Sequence, residues 1–427
     1  MTEKLLHFID RTPNAFFAVA NAAKALIAAG YTELCEGERW TLRRGGAYFV
    51  RRNGSSLIAF TVPDLDYDGY LIIAAHLDSP ALKLKPRPND NGLYCRLVTE
   101  RYGGMNLLTW FDRPLSVAGR VIVRTNDGIE SRLVDLGRDA AVIPSVAVHL
   151  AAPDGKPNPA VDMNALYGEE GCAGLMAEIA QNLGVDEESV LSHDLYLYNR
   201  EKGTVFGANN EFIAAPRLDD LACAYTALTA FFEAEPSSSA VPVLALFDNE
   251  EVGSSTRQGA DAGFLYEVLT RIGESVGGTE SDYLCRIANS FMLSADNAHA
   301  KHPNHPELSD AMTAPVPNRG VVLKYNANCR YTTDALTGAL FTEICKKQDI
   351  PVQIYTNRSD LPGGSTLGNL ACRHVSVATA DIGIAQFAMH SCYESAGSMD
   401  IYYMEKAMRS FYESDIHMIV DGKYALQ

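Results

Sequence analysis

Residues 241–254 read VPVLALFDNEEVGS: an unbroken apolar run, Val241–Phe247, meets Asp248, Asn249, Glu250 and Glu251 without an intervening turn residue. A run of this length, with no polar alternation, reads as a strand buried on both faces. Such strands need helices on either side to cover them, so this stretch decides the fold class as α/β. Working outward, the same texture recurs in Gly69–Ala75, which runs into His76-Leu77-Asp78-Ser79-Pro80, and in Phe291–Asp296, Val321–Tyr325, Val352–Thr356 and Asp381–Phe387. Between these lie segments with apolar residues at helical spacing: Asp219–Phe232, Leu265–Glu274 and Ala335–Lys347. Residues 4–29 predict two further helices, broken near Thr12-Pro13.

From about Lys85 to Gly203 the pattern changes. Alternating segments, Leu93–Thr99, Leu115–Arg124, Val142–Leu150 and Leu195–Asn199, predict strands, with one helix over Leu175–Leu183. The simplest organisation is a catalytic domain of residues 1–88 and 210–427, interrupted by a β-rich insert of residues 89–209.

Charge narrows the function classes. In 427 residues, 36 Lys and Arg face 53 Asp and Glu, a net charge of −17. That field repels phosphate backbones and anionic membrane surfaces, so neither nucleic acid nor membrane is an expected partner. No apolar run reaches 18 residues, and the chain lacks a basic-then-apolar start. Nine cysteines, an odd number with no CxxC pair, read neither as a disulfide framework nor as a thiolate zinc site. A cytoplasmic location is expected.

Ligands of open α/β sheets bind beyond the carboxyl ends of the strands. Titratable groups gather at such places: His76 and Asp78 in IIAAHLDSP (72–80), Asp219 and Asp220 in APRLDDLA (215–222), Glu250 and Glu251 after Phe247, and Asp296 in FMLSADNAHAKHPNH (291–305). His390 in FAMHSCYE joins them from the carboxyl side of the chain. Each has an ordinary alternative: a helix-capping pair for Asp219-Asp220, a solvated strand end for Glu250-Glu251, a surface histidine for His390. Together, several acids at strand exits are costly to bury unless a cation joins them. Imidazole plus carboxylate, without thiolate, suits zinc or a similar divalent ion, and a shared carboxylate would let five protein groups hold a pair.

At this point the motifs become recognisable. AAHLDSP (74–80), PNPAVDMNALYG (157–168), PRLDDLACAY (216–225), LFDNEEVGSSTRQGA (246–260), SADNAHAKHPNHPE (294–307), VVLKYNANCRYTT (321–333), SDLPGGSTLG (359–368) and DIGIAQFAMHSCYE (381–394) resemble the M18 family of metallo-aminopeptidases, the aspartyl aminopeptidase family of the dizinc exopeptidase clan. The resemblance implies a three-layer α/β/α sandwich with an inserted dimerisation or lid domain. It also implies two divalent ions per subunit, zinc first, with manganese or cobalt as alternatives. His76 and Asp296 would hold one ion, Glu251 and His390 the other, with Asp219 between them.

By the same resemblance Glu250 is the general base, and Asp78 is the carboxylate that orients the ring of His76. Lys324 would meet an acidic substrate side chain, with a surface lysine as the bland alternative. Gly363 and Gly364 would offer backbone amides to substrate, or form only a tight turn; His299 would approach it. His149, on the predicted strand Val142–Leu150, would reach a neighbouring subunit's site. Family members form tetrahedral dodecamers with enclosed active sites, which implies peptides as substrates. The expected activity is removal of N-terminal residues from peptides, Asp or Glu preferred. Alternatives are a broad-specificity aminopeptidase favouring neutral residues, an N-acyl amino acid amidohydrolase, and a non-catalytic peptide-binding relative.

Overall fold

The computed structural model describes residues 1–150, 155–237 and 239–426. Its centre is a nine-stranded mixed sheet, in the spatial order Thr32–Leu34, Gly46–Arg52, Ser56–Val62, Ala240–Phe247, Gly69–His76, Phe291–Ala295, Ala378–Gly383, Val321–Tyr325, Val352–Thr356. The Gly69–His76 strand is buried at every position. Leu71, Ile73 and Ala75 pack in one core with the helices Thr2–Asp10, Ala15–Ala28, Leu218–Glu233, Ala335–Lys347 and Ser398–Tyr412. Tyr70, Ile72 and Ala74 pack in a second core with Phe264–Ser275, Glu280–Ala288 and Leu367–Ala371. Period-two side chains thus feed two helical layers, which is why these strands read as continuous apolar runs.

The middle of the sheet positions the site. Ala240–Phe247, Gly69–His76, Phe291–Ala295 and Ala378–Gly383 are consecutive parallel neighbours. Their carboxyl ends therefore emerge at one edge, carrying His76, Glu250-Glu251 and Asp296 out together. A five-stranded sheet completes that edge: Thr204–Phe206, Phe212–Ala215, Glu394–Gly397, Ala385–Phe387 and Ala298–His299. It leads the chain into Asp219 and forms the hairpin that carries His390.

A separate six-stranded sheet runs from Ala81–Asn91 to Val190–Asn199, packed around its own apolar cluster with the helix Leu175–Leu183. It begins before residue 89, because Ala81–Asn91 pairs with Tyr94–Tyr102 and with Val190–Asn199. Thr204–Phe206, placed in the insert by the sequence reading, pairs instead with Phe212–Ala215.

Two predicted strands differ from expectation. Val142–Leu150 is not a strand: after a bridge at Val142 it runs through Pro144, which has no N–H to donate, into an exposed turn. Asp381–Phe387 divides into Ala378–Gly383 and Ala385–Phe387, which lie in different sheets. Gly383 permits the crossing, since a Cβ there would stand 2.1 Å from the carbonyl oxygen of Asp296. All nine cysteines are free, in line with the sequence reading.

Candidate metal centre

The groups predicted to converge do so. His76, Asp219, Asp220 and Asp296 lie close enough for one ion, as do Asp219, Glu251 and His390. Asp219 belongs to both groups. Its Oδ1 is 3.5 Å from Nε2 of His76, and its Oδ2 is 3.5 Å from Nε2 of His390. Nε2 of His390 is also 3.3 Å from Oε2 of Glu251. With bonds of about 2.0–2.2 Å, donors around a tetrahedral zinc stand roughly 3.3–3.6 Å apart.

The donor set fits a cation on a second ground. Oδ1 of Asp219, Oδ1 of Asp220 and Oε1 of Glu251 are buried with no hydrogen-bond partner. Unpaired buried carboxylate oxygens are expensive, and six acids (Asp78, Asp219, Asp220, Glu250, Glu251 and Asp296) outnumber the potential cations beside them, His76, His299, His390 and Lys324. The titration behaviour carries the same strain. Burial pushes the Glu250 carboxyl up to about 8, with Asp296, Asp78 and Asp219 adding to the push against His76. Burial likewise raises Glu251, Asp220 and Asp296. Asp219 goes the other way: burial is outweighed by the imidazoles of His390 and His76, which hold it below the carboxylate range. Burial opposes charge on His76, yet Asp219 and Asp78 raise its pKa well above the ordinary value.

Asp78 anchors the Glu pair. Its Oδ1 accepts the Glu250 N–H and its Oδ2 the Glu251 N–H, both at 3.1 Å, and the Tyr102 hydroxyl donates to Oδ2 at 2.7 Å. The expectation that its carboxylate orients His76 needs refinement. The Asp78 backbone carbonyl is nearer to Nδ1 of His76, at 3.0 Å, than its carboxylate, at 3.4 Å. A proton on Nδ1, given to that carbonyl, leaves Nε2 free to face Asp219.

At this edge Arg217, Asn249 and His390 are among the residues with left-handed backbone, at φ 57°, 65° and 65°. Each such residue costs about 1–3 kcal/mol and persists only where its surroundings hold it. The Arg217 guanidinium donates to the carbonyls of Ile9, Thr12 and Asn199. Asn249 donates to the Tyr102 hydroxyl and accepts from Thr256 and Gln258. The His390 N–H is taken by Glu394 at 2.7 Å.

A cleft of about 250 Å³ opens over these groups. His299, Lys324, Tyr331 and Gly364–Thr366 line it opposite the acids. Lys324 is not a surface lysine: its strand lies inside the sheet, and the side chain is 2% exposed. Its Nζ donates to the Asn297 carbonyl at 2.9 Å and lies 3.7 Å from Asp296 Oδ1. Asp296, first among its neighbours after the cost of burial, keeps the ammonium charged. Gly364 reaches the cleft, but Gly363 does not; it forms a φ 63° turn against Asn357, whose amide a Cβ would strike at 2.6 Å. His149 sits in an exposed turn away from this cleft, within one chain. Asp219 and Asp220 do not cap their helix, which starts from Arg217 without a side-chain cap. The sequence reading noted Asp220 but gave it no role, and it did not note Glu394 at all. The paired acid of LDDLA was the signal for the first; nothing local marked the second.

Comparison with known proteins agrees with this geometry. The family model described as Aminopeptidase I zinc metalloprotease (M18) matches residues 8–412. The chain is 43% identical to the probable M18 family aminopeptidase 2 of Clostridium acetobutylicum, over 96% of this chain and 98% of that protein. Its fold superposes on Ape4 in the cryo-EM structure of the Ape4 and Nbr1 complex with a TM-score of 0.92, at 34% identity, covering 96% of this chain and 85% of that one. The S. cerevisiae mApe1 dodecamer gives a TM-score of 0.85 at 29% identity, covering 96% of each chain. Matched from the first helix to the last, with its acids and histidines gathered at one sheet edge, the chain belongs to the M18 family of metallo-aminopeptidases.

Proposed function

We propose that this enzyme holds two zinc ions astride Asp219 and removes N-terminal Asp or Glu from peptides. The observation that carries the reading is the Asp219 carboxylate, whose two oxygens face two different imidazoles at equal distance. His76 and Asp296 complete one ion's donors, Glu251 and His390 the other's; Asp220 stands beside the first group. Such ions act as Lewis acids toward the scissile carbonyl and make water nucleophilic at neutral pH. Glu250 would take the proton from the attacking water and return it to the leaving amine, two transfers that one carboxylate can serve in turn. A free α-amine finds the remaining acids of the cleft, which speaks for an exopeptidase. Manganese or cobalt would suit the same oxygen-rich donors. Nine free thiols favour a reducing compartment, the cytoplasm.

Acidic preference rests on Lys324, a fully charged group on the cleft wall. A second reading, a broad-specificity enzyme, is favoured by the ammonium being already engaged by Asp296 and the Asn297 carbonyl. Matched Asp, Glu, Leu and Ala aminoacyl substrates, with and without chelator, separate the two. Acidic substrates should be cleaved fastest, chelator should stop all four, and Lys324→Met should harm the acidic pair most. Equal losses across the panel would assign Lys324 to Asp296 and establish the broad reading. Amidohydrolase activity would show instead as preference for N-acyl amino acids.

The dodecameric S. cerevisiae relative supports a homo-oligomer; dimers assembled into a tetrahedral dodecamer are the arrangement proposed for this chain. Val146, Val148 and Leu150 are strongly exposed around His149, as a segment received by a second subunit would be. The insert, on this view, carries His149 into a neighbour's cleft. His149→Ala should then slow turnover without emptying the metals. Mixed with Glu250→Gln chains before assembly, it should regain part of the activity; no recovery would end the assignment.

A further inference from the structure

We infer that Glu394 is a positioning residue for the His390 half of the metal centre, acting through the backbone of two residues at once. This rests on the two-ion reading above. Glu394 is 2% exposed and opens the Glu394–Gly397 strand, where antiparallel register sets it opposite Ala215. The chain leaves Ala215 through Pro216 and Arg217 to reach Asp219, so the register delivers the carboxylate to that segment. Oε2 of Glu394 accepts the Asp219 N–H at 3.0 Å; Oε1 accepts the His390 N–H at 2.7 Å. One carboxylate thereby ties together the two residues whose side chains meet at 3.5 Å, Asp219 Oδ2 and His390 Nε2.

His390 needs the tie more than the other donors do. His76 ends a buried strand of the central sheet, and Asp296 directly follows another, held by the ladder. His390 lies in a hairpin loop at φ 65°, and among the described residues its carbonyl is held only by the Asn106 N–H, at 3.0 Å. Behind it, Oε1 of Glu394 lies 3.4 Å from the Gln386 amide, which accepts from Asn297 at 2.7 Å. Glu394 so links the loop-borne donor to the strand-borne side of the site. A carboxylate is the group required, because both N–H donors need an acceptor; an amide would turn its own NH₂ toward one of them.

The test is metal titration of the assembled, metal-free protein with zinc, read by calorimetry and by metal content, on the unaltered chain and on Glu394→Gln. The unaltered chain should take two ions. The variant should bind one as before and the other about 10–100-fold more weakly, the range for a lost outer partner of a metal ligand. Its activity should return at high zinc. A merely structural residue would lower the melting temperature without splitting the two affinities. Should the Gln variant fail to fold, Glu394→Asp keeps the charge but cannot span both amides, and should show the same split. Two ions bound by the variant with unchanged affinities would overturn this inference alone. Fewer than two on the unaltered chain would overturn the two-ion reading itself, and this inference with it.

Discussion

Glu250→Gln should lower turnover by about 10²–10⁴-fold while leaving both ions in place. The substitution preserves shape and removes the ability to accept a proton. Its backbone anchor is untouched, since Asp78 holds the Glu250 and Glu251 amides rather than the Glu250 side chain. Glu251, the neighbouring acid, therefore keeps its place 3.3 Å from His390. Steady-state kinetics beside metal analysis checks this. A variant of near-normal rate would show that another group moves the proton; one that lost its metals would make Glu250 a ligand.

The second large effect is expected at Asp219. In Asp219→Asn an NH₂ replaces one oxygen, so on the two-ion reading one ion would lose an anionic donor and the other half the charge it would share. Both affinities should fall, by no less than the roughly 10–100-fold seen for outer partners, and turnover should vanish at ordinary zinc concentrations. His390→Ala is the contrast: it removes a donor from one group only and should spare the ion near His76 and Asp296. Metal content after dialysis distinguishes them. If Asp219→Asn kept two ions and His390→Ala lost both, the carboxylate would not be the shared element.

How far these positions were legible in the chain follows from how each is held. Phe247, Ala75 and Ala295 end apolar runs, and consecutive parallel strands send such ends to one edge. His76, Glu250, Glu251 and Asp296 could therefore be read from local texture. Lys324 could be read only in part. Whether its strand was an edge depends on Val352–Thr356 and Ala378–Gly383 flanking it, an order that no local pattern encodes. Asp219, at an irregular helix start, and His390, in a loop, could be noted by residue type, but only the resemblance gave them their roles. Glu394 was not legible: an acid after Tyr393 reads as surface until the pairing with Ala215 buries it. The strand predicted over Val142–Leu150 failed for a related reason, since alternation there serves an exposed turn with no ladder partner beyond Val142 among the described residues.

Crystals grown with zinc and measured at its absorption edge test the central claim most directly. The account predicts two anomalous peaks per chain, about 3.5–4 Å apart, with one oxygen of Asp219 against each. A lone peak, or a pair that leaves the Asp219 carboxylate untouched, would contradict it.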